Sequence, residues 1–163
     1  MFHRIFCYIF IALLFALVAT ADSSYQHPLQ YQSTMSSALN VFKKPLKIFS
    51  TQPMTGFYRD GYCHTGPDDA GNHAVAGIVS DEFLDYSAKQ GNNLRAVGLT
   101  GGCRWCLCTT RWLQALDAYR NSELGPNGVP RVDLDATEDS ALKKISLETL
   151  QAFAVKTDGV NGK

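Results

Sequence analysis

From residue 39 onward the apolar positions fall in short runs separated by glycine and polar turns. Residues 74–79, Ala-Val-Ala-Gly-Ile-Val, are unbroken and predict a central strand. Ser80 is placed as a helix cap, Asp81 and Glu82 suit the positive end of a helix, and Gly91 is a natural stop. Phe83, Leu84 and Ser87 share one side, so the spacing predicts a helix over 81–90. Residues 94–99 form a short apolar link. After Thr109 or Thr110 as cap, Trp112, Ala115, Leu116 and Tyr119 recur at helical spacing and predict a core-facing stripe. Residues 129–134 alternate as a third strand, with Pro130 near its start where a ladder tolerates it. Thr137, Glu138 and Asp139 cap a short helix through Lys144, and Ser146 caps another with Leu147, Leu150 and Phe153 inward. Pro45 divides 39–49 into two short extended pieces around an exposed Lys43-Lys44. Strands interspersed with single helices predict a small α+β domain over 39–155, with a short mixed sheet and about four helices. No internal repeat is visible.

Two stretches stand out from this pattern. In Gly101-Gly102-Cys103-Arg104-Trp105-Cys106-Leu107-Cys108-Thr109-Thr110, the glycines read as a turn and the run after them as a buried strand. Alternate side chains of a strand share a face. Arg104, Cys106 and Cys108 therefore point one way, and Trp105 and Leu107 the other. The second stretch, 55–73, is a long loop dense in glycine, charge and aromatic groups, with Asp60-Gly61 and Thr65-Gly66-Pro67 as tight turns. Loops of that length in compact domains are commonly functional.

The amino terminus changes the picture of the cysteines. Met1-Phe2-His3-Arg4 is a short positive start, residues 5–20 are almost wholly apolar, and Ala19-Thr20-Ala21 has the small-x-small cleavage pattern. Residues 1–21 read as a secretory signal peptide, and 22–38 as a disordered linker. The apolar run is short for a bilayer span, so membrane contact is expected only through an uncleaved signal segment. Met35 offers an alternative start that would yield a cytosolic form. The polar tail 156–163 is expected to fray. Cys7 is lost with the signal, which leaves Cys63, Cys103, Cys106 and Cys108. In a secreted chain four cysteines permit three disulfide connectivities. A Cys106–Cys108 bond is disfavoured in an extended strand, where the Cα atoms lie about 6.6 Å apart. Cys63 with one of the other three is the better pairing.

The formal net charge of +0 argues against nucleic acid as a partner, because phosphate binding leaves a basic footprint. No nucleophile-elbow spacing or phosphate-binding glycine fingerprint is present.

The chain resembles the domain-of-unknown-function family DUF2237. The residues that carry the resemblance are Thr55-Gly56-Phe57-Tyr58-Arg59-Asp60-Gly61 with Cys63, then Thr65-Gly66, Asp69, Gly71 and His73. Further on come Asp81-Glu82-Phe83-Leu84, Gly91-Asn92, Arg104-Trp105-Cys106-Leu107-Cys108 and Arg111-Trp112. The resemblance implies a compact domain that stands alone in its relatives, most of which lack a signal peptide. It implies no activity. Relatives often carry Asp or Ser at Cys103, Cys at Ala76, Glu at Gln114 and Asp at Asn93, which sets those positions aside as members of a shared site.

Three chemistries fit the residues that remain. In a thiol enzyme, Cys63, Cys106 or Cys108 beside Arg59 or Arg104 would be held as thiolate, with Asp60 or His73 moving protons. In a zinc site, Cys63, Cys106 and Cys108 with His73 or His64 would supply a tetrahedral set, although no paired Cys-x-x-Cys knuckle supports it. In a non-enzymatic module, Tyr58, Arg59 and Asp60 would hold a small anionic ligand while the cysteines act as structural staples. All three place the candidate site where the 55–73 loop meets the 104–108 strand.

Overall fold

The computed structural model describes residues 38–156, a small α+β domain. The signal segment, Cys7, Met35, nearly all of the linker and the tail beyond residue 156 lie outside the described residues. Among the described residues no helix is long and apolar enough to cross a membrane.

The organising strand is β1, Val75–Ile78, which pairs antiparallel on both edges. On one side lies β2, Arg104–Leu107, in the register Val75 opposite Leu107 and Ala76 opposite Cys106. On the other lies β3, Arg131–Val132. All named strands pair antiparallel, and parallel pairing appears only in single bridges such as Cys63 with Thr137 and Val132 with Ala154. β3 is shorter than the alternation predicts. Pro130 has no N–H to donate, and past Val132 the Asp133 N–H still reaches the Ala76 carbonyl at 2.9 Å, but the Ala76 N–H goes to the Thr137 hydroxyl at 3.1 Å, which ends the pairing.

Helix α1, Asp81–Lys89, begins as its sequence signals require: the Ser80 hydroxyl accepts from the Phe83 N–H at 3.0 Å. Phe83, Leu84 and Ser87 are its buried residues, and Gly91 continues the exit with φ of 80°. The link at Leu94–Val97 is a 3-10 turn capped by Asn93. Helix α2, Thr109–Arg120, buries Trp112, Ala115 and Leu116, with the Trp112 indole N–H on the Pro130 carbonyl at 3.0 Å. Tyr119 lies at the margin of that stripe and is 38% exposed, its ring edge-on to Phe153. Helix α3, Leu147–Ala152, is capped by Ser146. The remaining predicted helix is a 3-10 segment, Asp139–Lys143, so three α-helices form among the described residues rather than about four. Residues 39–45 fold into a tight turn in which Leu39 bridges Pro45 and the Asn40 side chain accepts from Phe42 and Lys44.

The two faces of the sheet bury different things. Val75 and Leu107 join Phe83, Leu84, Trp112, Leu116 and Leu150 in the main core, and Trp105 packs against it. Gly77 is required here: a Cβ would stand 2.5 Å from the Leu107 side chain. Ala76 and Cys106 belong to a second, smaller cluster with Phe49, Cys63 and Ala136. The alternation expected for the cysteine strand is therefore the one observed for residues 105–107.

Inside the second cluster Cys63 and Cys106 form a disulfide, with S–S at 2.04 Å. It ties the 55–73 loop to β2 across 43 residues of sequence. Removing such a link typically costs about 2–5 kcal/mol. The Cys63→Ala/Cys106→Ala double variant is expected to lose that amount of unfolding free energy in urea titrations, with a native-like circular dichroism spectrum before the transition.

Candidate functional site

The loop is built from its own hydrogen bonds and then fastened to the domain. Gly61 N–H returns to the Thr55 carbonyl at 3.0 Å, and Asp69 N–H to the Gly66 carbonyl at 3.0 Å. Thr55, fully buried, accepts from the Cys106 N–H at 2.7 Å. Thr65 donates its hydroxyl to the Glu138 carboxylate at 2.8 Å. Asn72 donates its side-chain amide to Ser140 at 2.8 Å, and its carbonyl accepts from the Thr109 N–H at 3.0 Å.

These fastenings set a sulfur, an imidazole and a carboxylate in line. Cys108 Sγ lies 3.0 Å from His73 Nε2. His73 Nδ1 lies 2.6 Å from Asp69 Oδ1, and the other Asp69 oxygen accepts from the His73 backbone N–H at 2.7 Å. An ionised carboxylate only accepts, so His73 presents N–H from Nδ1 to Asp69 and turns Nε2 toward the thiol. The Asp69 side chain has no exposed surface, whereas 31% of His73's is open to solvent. The carboxylate is a fixed support and the imidazole an accessible group.

Cys108 owes its place to a change of structure within one residue. It follows the last residue of β2 and is itself the N-cap of α2. Sequence signals favoured Thr109 or Thr110 as the cap; the strand ends at Leu107 and the helix starts at once, so both threonines fall inside it. The sulfur thus sits at the positive end of a 12-residue helix. Gly71 makes the approach of His73 sterically possible. A Cβ there would lie 2.7 Å from His73 Cε1 and 2.9 Å from Cys108 Sγ.

Rings complete the surroundings. Phe57 stacks on His73 with centroids 5.7 Å apart, and Tyr58 meets Phe57 edge-on at 5.0 Å. Tyr58 in turn stacks on His64 at 4.8 Å. Burial, then the charges of Asp68, Asp69, Asp60 and Glu138, raise the Tyr58 phenol above its ordinary range.

The hydrogen bond to Cys108 pushes His73 up from 6.5 to about 9; burial opposes this, and the bond to Asp69 adds to it. At neutral pH His73 is therefore an imidazolium facing sulfur. The sulfur it faces is the one at the start of α2.

The residues expected to act divide differently from the sequence reading. Cys63 and Cys106 share the disulfide, so Cys63 offers no thiolate nucleophile and Cys106 no thiolate ligand. The Arg59 guanidinium lies over the Trp105 ring at 4.7 Å. Arg104 lies over the Phe49 ring at 5.1 Å and donates to the Phe49 carbonyl at 3.4 Å. Asp60 pairs with His64 at 2.7 Å and accepts from the Tyr62 N–H. Arg59, Arg104 and Asp60 are thus absent from the sulfur–imidazole–carboxylate chain. Cys108 and His73, expected as metal ligands, are in it. With Cys106 oxidised the proposed zinc set is incomplete, and no group of His, Cys, Asp or Glu suited to a metal converges among the described residues. Asp69 is the member the residue-level reading missed. Its signal is an Asp four residues before a His across Gly71 and Asn72, a turn in which one carboxylate reaches both the His N–H and its ring.

A family profile described as an uncharacterized protein conserved in bacteria, DUF2237, matches residues 39–154. The chain belongs to the DUF2237 family. The match spans nearly all of the described domain, including Asp69, His73 and Cys108. No curated protein matches the chain by sequence.

Two outcomes test this geometry of the DUF2237 domain. The folded His73 binds its proton more tightly than the unfolded chain does. The stability it contributes is therefore full below pH 6.5 and lost as pH rises through about 9. In NMR titrations the His73 ring is expected to titrate near pH 9 in the native protein and markedly lower in Cys108→Ala. Gly71→Ala is expected to separate the thiol from the ring, read as the same downward move of the His73 midpoint.

Proposed function

We propose that the protein is a cysteine-dependent acyl-transfer enzyme, a hydrolase or transferase of carbonyl substrates. Cys108 is the nucleophile, His73 the proton carrier, and Asp69 the residue that orients His73. The observation that carries this reading is the continuous chain from Cys108 Sγ through both ring nitrogens of His73 to the buried Asp69 carboxylate. Nucleophile, base and orienting group within hydrogen-bond reach are the pattern of nucleophilic catalysis on unrelated folds.

The steps follow from the charges. The Cys108 thiolate attacks the carbonyl carbon of an ester, thioester or amide and forms a C–S bond. The carbonyl electron pair moves to oxygen, at the positive end of α2. When the pair returns, the bond to the leaving alcohol, thiol or amine breaks. That group departs with the proton from His73 Nε2. Neutral His73 then takes a proton from water or an acceptor alcohol or amine, which attacks the thioester carbonyl. Collapse releases the product acid or transferred acyl compound and restores thiolate and imidazolium. Asp69 holds the ring through Nδ1 throughout and gives up no proton.

The Cys63–Cys106 bond supports an oxidising destination such as the secretory pathway, since structural disulfides persist there. It also supports a division of labour, with one sulfur pair as the staple and one thiol left for chemistry.

Cys103, the other free cysteine of the described residues, is an internal control. With iodoacetamide at about pH 6, where an ordinary thiol is largely protonated, Cys108 is expected to be alkylated at least about tenfold faster than Cys103. Asp69→Asn and His73→Gln are each expected to remove that advantage and to abolish burst release from p-nitrophenyl acetate. Equal, slow labelling of both cysteines would sink the proposal.

A further inference from the structure

We infer that Phe57 is the specificity-determining residue of this site and that the acyl group it receives is apolar and flat, an aromatic or similarly unsaturated hydrocarbon group. This rests on the acyl-transfer reading, because it assigns the substrate side of the same thiol.

Phe57 is 39% exposed although it belongs to a turn fixed on every side. Gly56 stands at φ of 94° and Arg59 at φ of 56°, with the Arg59 N–H on the Gly56 carbonyl at 3.2 Å. A Cβ on Gly56 would stand 2.3 Å from the Tyr62 carbonyl oxygen, so the turn cannot take another residue there without moving. Tyr58 braces the Phe57 ring by its edge, and Gly66 leaves room for the Tyr58 hydroxyl, where a Cβ would lie 2.0 Å away. The turn thus presents the ring to solvent in one orientation.

Single exposed apolar side chains are ordinary on protein surfaces. This one is set apart by its neighbour. The ring lies nearly parallel to His73, at an interplanar angle of 26°, and the Nε2 of that imidazole is 3.0 Å from Cys108 Sγ. A group bonded to the sulfur begins beside His73, and the Phe57 ring is the aromatic surface stacked on that imidazole. Gly71, close to both the thiol and the imidazole, adds no side chain there. An aromatic face offers an aromatic group both area burial and an offset-stacked or edge-on contact. The charged side chains nearest in the turn are already committed, Arg59 to Trp105 and Asp60 to His64. That leaves the Phe57 ring as the apolar surface beside His73.

The test uses the full chain and two alkylating probes of the same chemistry, iodoacetamide and N-benzyl iodoacetamide. Rates at Cys108 are read by mass spectrometry, and glutathione serves as the reference thiol. The benzyl-to-plain rate ratio at Cys108 is expected to exceed that of glutathione by about tenfold, the scale of one partly covered aromatic contact. Phe57→Ala is expected to return the ratio to the glutathione value, whatever the absolute iodoacetamide rate. Phe57→Leu, which keeps an apolar group and the fold, is expected to retain part of the preference and decides the matter should the alanine variant fail to fold. A Cys108 that reacts fast with both probes at the glutathione ratio, or a ratio unmoved in either variant, overturns the role of Phe57 and leaves the acyl-transfer reading standing. A Cys108 no faster than Cys103 with iodoacetamide overturns both.

Discussion

The attachment of a long irregular loop to β2 at Cys106 is the constraint on which the arrangement depends. The loop has little ladder or helix of its own to hold it, and ordering each backbone residue costs about 1–2 kcal/mol. At Cys106 it gains two anchors at once: the strand's N–H goes to the buried Thr55 hydroxyl, and the sulfur goes to Cys63. The end of the loop is tied to the neighbouring strand, since the chain runs from residue 73 through Ala74 into β1, the partner of β2. Between these anchors, Thr65 and Asn72 bind Glu138 and Ser140, which lie in the segment just past β3. What reaches the thiol is therefore a loop carried by the sheet.

Cys108 stands where a strand becomes a helix. Strand and helix are both locked by the main core through Leu107 and Trp112, so Cys108 inherits the rigidity of two elements. Asp69 and His73 come from the loop, which sits on the other side of the gap. The pair meets because Gly71 lets the chain pass close, and because Asn72 sends its carbonyl to the first amide of α2. That last bond joins loop to helix one residue from the sulfur.

Much of the fold could be read from local signals. Ser80 with Asp81 and Glu82 marked the start of α1, and the buried stripe of α2 followed its period. Residues 105–107 obeyed the twofold alternation that put Cys106 on the face opposite Leu107. The site was legible only in outline, as a meeting of loop and strand. Alternation does not extend past the end of a strand, so it left open what Cys108 would meet. Arg59 and Arg104 looked like thiolate partners by charge, but their flat guanidinium groups found aromatic faces, a long-range preference that spacing does not encode. Asp69 was hidden because a carboxylate in a glycine-containing turn is usually spent on the local backbone, and here one of its oxygens is indeed spent so.

Two kinds of sulfur are thus kept two residues apart and differ above all in access. Cys63 and Cys106 are 0% and 2% exposed, whereas Cys108 is only partly covered. Thiol–disulfide exchange needs an attacking thiolate to reach a sulfur along the bond axis, and the packed cluster around Phe49 and Ala136 shuts off that line. A thiol in the surrounding medium therefore has a path to Cys108 and none to the staple beside it.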